Sequence, residues 1–459
     1  MSMIEKHDMT QGKILLPLVS FTIPLVLGNL FQLTYNAADS VIVGKYVGEQ
    51  ALAAVGTSTP IMNIAILLIS GMCMGASVLM SSQYGAKDYD TLSKQISTTM
   101  LAGCGFSVVF SLLMLLLATP VLRLIRVPEA AIPEAAVYLR IIFLGLIFTF
   151  IYNFLANTMR ALGDSKTPLY FLMVSSVVNI VLDLLFIRGF SWGVAGAALA
   201  TIIAQLISGI GSLIFALVKN PFFRIEKKYR SLNRGIIWQC IRMGVPLAFQ
   251  SSLIAISCVA LQSVVNTFGS VVVAAFTATS RIEQLVQQPY NSLGMSVSTY
   301  TGQNIGAGQL ERVKKGYRIA FLLMAVFSFT MLPLAQFFGN PIMRLFVSEP
   351  EVIEMGAHAL KLTSWFYLPL GMIYITRGLL NGAGDAAFAF MNGIIEMMGR
   401  ICFAKPLTLI PQVGVWGVWL ATAFTWLLTG VLTFLRYLQG KWKKHVTPKE
   451  TGQEELVEV

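Results

Sequence analysis

Apolar runs long enough to cross a bilayer recur along the whole chain, and they leave it few folds. Runs of about 20 apolar residues begin near Ile14, Ala51, Ile96, Ala135, Pro168, Gly193, Ile236, Val272, Tyr317, Ile353, Ala386 and Gly414, so twelve spans are predicted. Of the 459 residues, 56% are hydrophobic and only 12% are charged, whereas a soluble chain carries about 25% charge. The fold class is therefore an all-α polytopic membrane protein. The start, MSMIEKHDMTQGK, is polar, and the first apolar run is too long for a signal h-region, so no cleavable leader is expected.

The first run, Ile14 to Val43, carries Pro24 inside it and a carboxylate, Asp39, near its end. Asn36, Tyr35 and Gln32 lie three, four and seven residues before Asp39, which puts them on its face of a helix. An acid inside a membrane helix is costly, and its default reading is functional, with a partner to be found.

The net charge of +11 follows topology rather than nucleic-acid binding. With the N-terminus inside, most Lys and Arg fall on cytoplasmic segments: Lys6 and Lys13, Lys87 and Lys94, Arg160 and Lys166, Lys219 to Arg234, Arg312 to Arg318, and Lys441, Lys443 and Lys444. That is the positive-inside bias, and an even number of spans returns the C-terminus to the same side. A multi-pass protein of a bacterial-type inner membrane, with both termini cytoplasmic, is expected. The five cysteines are scattered through the spans without metal-like spacing. Three unclustered histidines leave nothing from which a membrane enzyme would be built, so no enzymatic activity and no cofactor are expected. No Walker A sequence is present to couple the chain to ATP.

Comparison of the chain with itself reveals two halves. Gly163 and Asp164 of RALGDSKTP match Gly384 and Asp385 of LLNGAGD, a shift of 384 − 163 = 221. The same shift carries Gly193, Gly196, Ala200 and Thr201 onto Gly414, Gly417, Ala421 and Thr422, and Gly85-Ala86 onto Gly306-Ala307; Pro24 pairs with Pro246 within one residue. Two six-helix lobes with the same orientation in the membrane, 1–218 and 236–440, are predicted around a central cavity. A basic linker, 219–235, joins them, and a polar tail, 441–459, follows. Parallel repeats about an axis normal to the membrane are an architecture of secondary transporters, with the ligand path between the lobes.

RALGDSKTP after the fourth span, NGAGD after the tenth, and SQYGAKD and GQNIGAG after the second and eighth, in this order, resemble the multidrug and toxic compound extrusion (MATE) transporters over Thr10 to Gln439. The resemblance implies export of cationic or amphipathic organic compounds in exchange for protons or sodium ions, by rocking of the lobes. It further implies an ion site of the DinF-like branch at Asp39, Asn179, Asp183 and Thr201. The chain departs from the NorM-like pattern, since the seventh span has no acid and the tenth only Glu354 at its start. A flippase for a lipid-linked precursor is the alternative within the same superfamily. It would favour a cavity lined by Arg and Lys, for which the spans offer Arg281, Lys361, Arg400 and Lys405.

Read physically, Asn179 and Asp183 are four apart and share a face of the fifth span. Asp183 lies about 22 Å along it from Pro168, and Thr201 roughly 12 Å into the returning sixth span, at comparable depth. Asp39 is also in the outer half. Carboxylates with neutral oxygens suit a hard cation such as Na+, and two acids in low dielectric favour holding a shared proton near neutral pH. Both remain open. The structural alternatives are that Asp39 ends its helix at the interface and that Asp183 pairs with Arg188. The 221-residue shift takes Asn179, Asp183 and Thr201 to Arg400, Ala404 and Thr422, so the coupling site is expected in the first lobe only. Asp183 is read as the resident ligand, and Asp39 as the group that links its charge state to a hinge at Pro24.

Gln32, Tyr35, Asn36, Asn153, Asn157, Glu283, Gln284 and Gln287 are candidates for the substrate path. Glu283 either meets a cationic substrate or pairs with Arg281 or another helix, and Glu396 and Arg400, four apart, are expected to neutralise each other. RALGDSKTP and NGAGD read as helix-end anchors. The expected partners are amphipathic or cationic small molecules and lipid; the chain is expected to act as a monomer.

Overall fold

A computed structural model describes residues 8–125, 127–129, 131–224, 229 and 232–445. The predicted tail beyond 445, the start of the N-terminal segment and positions 225–228, 230 and 231 of the predicted linker lie outside the described residues.

Every element among the described residues is helical. In chain order they are α1 (Leu15–Tyr46), α2 (Glu49–Ala86), α3 (Tyr89–Leu124), α4 (Ile132–Leu144 and Leu146–Ala161), α5 (Lys166–Asp183), α6 (Gly193–Lys219), α7 (Arg234–Val265), α8 (Ser270–Gly306), α9 (Leu310–Arg344), α10 (Pro350–Ser364 and Tyr367–Gly382), α11 (Ala386–Thr408) and α12 (Gly417–Leu438). Among the described residues nine helices are long and apolar enough to cross a membrane alone, and α4, bent by 47° at its break, makes ten. α8 and α10 complete the twelve expected. They are the less apolar spans: α8 buries Ser292, Ser296, Gln303 and Asn304, and α10 is interrupted near Phe366.

The helices outrun the apolar runs at the end of the molecule that carries the chain termini. α3, for instance, begins at Tyr89 rather than near Ile96, because Asp88 accepts a hydrogen bond from the Thr91 backbone N–H at 3.1 Å and caps a polar first turn. The two anchor motifs work alike. Asp164 accepts from the backbone N–H of Lys166 and of Thr167, both at 3.0 Å, and Asp385 accepts from that of Phe388 at 3.3 Å and from Arg436 Nε of α12 at 2.8 Å.

Helix pairings repeat at the sequence shift. α1 packs on α5, α2 and α3 on α4, and α5 on α6; in the second half α7 packs on α11, α8 and α9 on α10, and α11 on α12. The lobes meet where α2 packs on α7 and α8, and α1 on α8. Lipid offers helices no hydrophobic drive to associate, so close backbone approach between small residues carries such contacts. A Cβ on Gly75 would lie 2.4 Å from the Gly244 nitrogen, and one on Gly85 would lie 1.8 Å from the Gln303 carbonyl oxygen. Bonds between the lobes cluster in the same half. Asn29 Nδ2 donates to Ser292 Oγ at 3.1 Å, Ser296 Oγ to the Leu18 carbonyl at 3.2 Å, and Gln303 Nε2 to the Ala161 carbonyl at 2.9 Å.

Two expected boundaries shift. The tail does not begin as a free polar segment, since 441–445 form a short 3-10 helix in which Trp442 is buried and stacks on Tyr437. The described residues of the linker fold onto the first lobe: Phe222 packs on Tyr84 and Tyr89, and the Tyr229 hydroxyl donates to Asp90. Aromatic side chains in these polar stretches favour burial over extension into water.

Replacing Gly75 by Leu forces α2 away from α7. The variant is expected to lose about 1–3 kcal/mol of stability, read as a lower thermal unfolding midpoint of the purified protein in detergent; an unchanged midpoint would mean the lobes do not depend on this contact.

A first-lobe cavity ending at two carboxylates

α1, α2, α4, α5 and α6 of the first lobe, with Met295 of α8, enclose a cavity of about 320 Å³. Pro24, Gln32 and Tyr35 of α1 line it, with Asn153 of α4, Asn179 of α5 and Thr201 of α6. Pro24 lies inside a continuous helix, where it removes one backbone bond and weakens the turn facing the cavity. Of the remaining candidates on α1, Asn36 is exposed and outside the lining.

Asn179 and Asp183 are 3% and 0% exposed. With the Asn179 amide turned so that its nitrogen faces Asp183, it donates to Asp183 Oδ2 at 3.3 Å and accepts from the Thr201 backbone N–H at 3.3 Å. The Thr201 hydroxyl donates to the Ala197 carbonyl at 3.0 Å, so its lone pairs stay available. Asp39, partly buried, comes within hydrogen-bonding reach of Asp183. Two carboxyl groups that approach this closely share a proton or a cation, because neither has a hydrogen to donate when both are ionised. At Asp183, α5 widens into a π-turn, Leu184–Gly189, an irregularity frequent at functional sites.

The polar groups left without a partner beside the acids are acceptors, Asp39 Oδ1, Asp183 Oδ1 and Gln205 Oε1, whereas the other unpartnered group lining the cavity, Arg160 Nε, is a donor. A buried oxygen without a donor is satisfied by a proton or a hard cation. The oxygens of Asp39 and Asp183 and the Thr201 hydroxyl suit H+ or Na+, while the Asn179 amide oxygen is turned to the Thr201 N–H. Arg188 does not pair with Asp183; its guanidinium lies 5.8 Å from the ring centre of Tyr46. Tyr138, on α4, and Gln205, which also lines the cavity, belong to the surroundings of the acids and were not singled out by sequence. Gln205 lies four residues after Thr201, on its face of α6, and that spacing was the available signal.

The second lobe holds a matching cavity of about 330 Å³ with different chemistry. Glu283, Gln284 and Gln287 line it, together with Arg400 and Thr422, the positions that the 221-residue shift derives from Asn179 and Thr201. Glu396 pairs with Arg400 at 3.7 Å as expected, and with Arg377 Nη1 at 3.3 Å. Arg400 Nη1 also donates to Ser257 Oγ at 2.5 Å, and Gln287 accepts from the Tyr374 hydroxyl at 3.0 Å. Glu283 is 7% exposed with Oε1 unpartnered, while Arg281 is exposed on another face.

A third cavity, about 280 Å³, lies between the lobes and is lined by Asn153 and Asn157. Arg160 and Arg377 also line it, which corrects two sequence expectations. Arg160 faces the inside of the molecule rather than serving as a cytoplasmic surface charge, because its position in the last turn of α4 points it back between the lobes. Arg377 was absent from the basic residues counted within spans.

The MatE family model matches residues 24–185 and 246–404, two segments that start 222 residues apart at Pro24 and Pro246. The probable multidrug resistance protein YpnP of Bacillus subtilis is 32% identical over 444 residues, covering 96% of this chain and 98% of that protein. The probable multidrug resistance protein NorM of Thermotoga maritima is 24% identical over 450 residues, covering 96% and 95%. A solved MATE family transporter of the MOP superfamily, in an outward-facing conformation, superposes with a TM-score of 0.89 at 23% identity, over 95% of this chain and 98% of that one. At that identity the likeness speaks for the fold.

The second-lobe network sets a structural expectation. Arg400→Leu leaves Glu396 with one partner and Ser257 with only its bond to the Ile254 carbonyl at 2.6 Å, and is expected to destabilise by about 1–3 kcal/mol, measured as a fall in the thermal midpoint. If Arg400→Leu unfolds with the wild type, the pairing is not structural.

Proposed function

This chain belongs to the MatE family, and from that premise we propose that it is a secondary antiporter exporting amphipathic and cationic organic compounds, driven by inward H+ or Na+. The observation that carries the coupling is the approach of Asp39 to Asp183, beside Asn179 and Thr201, with an unpartnered oxygen on each acid. The multidrug-resistance names of its relatives support the substrate class.

The mechanism follows from where the charges sit. With both acids ionised, their repulsion pushes α1 from α5; a proton or Na+ between them removes it. α1 is the element both events act on, since it carries Asp39, packs on α5 and on α8 of the other lobe, and is weakened at Pro24. Ion entry therefore draws α1 toward α5 and narrows the first-lobe cavity, from which the substrate leaves. The excess of Lys and Arg at the end bearing the termini supports placing that end in the cytoplasm. The tight seam between lobes is then the cytoplasmic gate, and this conformation is the one open outward. Return to the inward-open state breaks the Gln303 and Ser296 bonds and opens the opposite face.

The test is efflux of rhodamine 6G from proteoliposomes under an imposed H+ or Na+ gradient. Asp39→Asn and Asp183→Asn are expected to lower gradient-driven efflux by roughly 5–150-fold, the range of a 1–3 kcal/mol coupling free energy. Efflux lost on removing sodium at constant pH identifies Na+; efflux kept identifies H+. Unchanged coupled efflux in both variants would remove the acids from the mechanism.

A further inference from the structure

The cavity between the lobes is basic, and it meets the first-lobe cavity at Arg160, which lines both. None of the described residues lining it is an acid, whereas Arg160 reaches it from α4 and Arg377 from α10. Around them stand amide side chains: Asn153, Asn157, Gln250 and Asn381. Arg377 is held in place, with Nη1 at 3.3 Å from Glu396 and the guanidinium over the Tyr374 ring at 4.7 Å. Since Glu396 also serves Arg400, that triad carries one positive charge in excess. Arg160 is the less satisfied of the two. It lines both the first-lobe and the inter-lobe cavity, and its buried Nε has no hydrogen-bond partner.

An arginine inside a membrane protein without a carboxylate partner is costly, and the default expectation is a ligand that neutralises it. The last turn of α4 offers it the partial negative charge of a helix C-terminus, but that leaves Nε and its fork of donors unfilled. Guanidinium groups bind carboxylate and phosphate in bidentate fashion, and amide side chains supply further donors to the same oxygens.

We propose that Arg160 and Arg377 form a clamp, one arm on each lobe, for the carboxylate or phosphate group of an amphipathic ligand. The ligand's apolar part lies along Phe21, Met74 and Met295, which line the same cavity. Because the two arms belong to different lobes, the anion is gripped only while the lobes stand as they do here, and their rocking releases it. The clamp widens the substrate class of this exporter from cations to amphiphiles carrying an anionic group. Its place on a transport route rests on the antiporter reading, whereas binding requires no transport.

The experiment is therefore a binding one. Fluorescence anisotropy of carboxyfluorescein and of rhodamine 6G is measured on the full-length protein in phosphatidylcholine nanodiscs. Wild type is expected to bind carboxyfluorescein, and Arg160→Gln to weaken that binding at least about tenfold, well beyond any change for rhodamine 6G. Arg160→Lys retains part of the affinity. Asn157→Asp places a carboxylate one turn from Arg160 and weakens the anion as Arg160→Gln does, which covers the case in which the latter fails to fold. Adding phosphatidylglycerol separates the sources: competition identifies a lipid headgroup as an occupant, and its absence a soluble organic anion. Absence of carboxyfluorescein binding to wild type, or equal weakening of both dyes in the two charge-changing variants, overturns the clamp. Neither result bears on rhodamine 6G efflux through Asp39 and Asp183.

Discussion

The approach of α2 to α7 and α8, backbone against backbone, is the constraint on which the rest of the molecule depends. Gly75 faces Gly244 with no room for a methyl group between them, and Gly85 faces the Gln303 carbonyl. Such contacts hold in lipid because dispersion and short polar bonds act there without competition from water. They bring the lobes together along α1, α2, α7 and α8 at the end bearing the termini. Polar side chains further along the same helices and their neighbours are left to line cavities instead of an interface. Pairing is tight where bonds such as Gln303 to the Ala161 carbonyl concentrate, and the cavities open beyond them.

On this shared frame the lobes have diverged electrostatically. In the first, Asp39 and Asp183 face each other, each with an oxygen left unsatisfied. In the second, the related positions hold Arg400 and Ala404, and Glu396 is committed to two arginines. A paired acid has little to gain from a cation, while two adjacent acids have much to lose without one. The fold repeat supplies two cavities of similar size, and side-chain chemistry alone distinguishes them. Between them, Arg160 and Arg377 give the inter-lobe space a third character.

Much of this was legible in the residues because membranes make strict demands. Twelve apolar runs, a 221-residue register and depth arithmetic along α5 and α6 placed Asn179, Asp183 and Thr201 on one level, and the structure brings them together. Arg160 was misread, since a basic residue in a helix's last turn looks the same in sequence whether it turns to the cytoplasm or back between lobes. Arg377 went unnoticed within the apolar second segment of α10. Trp442 was hidden in a lysine-rich stretch whose charge suggested a solvated tail. For the two arginines the direction of the side chain depends on neighbours distant in the chain, whereas Trp442 stacks on Tyr437, five residues before it.

Sequence by itself determined the number of spans, the two-lobe repeat and the absence of counterparts to Asp39 and Asp183 from the second lobe. These follow from local hydropathy and from residue identity at a fixed shift, both of which are properties of the chain before it folds. Tertiary structure alone decided that Asp39 meets Asp183, that Glu396 is shared by two arginines, and that Arg160 and Arg377 face one cavity. Those outcomes depend on how α1 rotates against α5 and how α4 stands across from α10, and helix rotation is set by packing between segments that no local pattern relates.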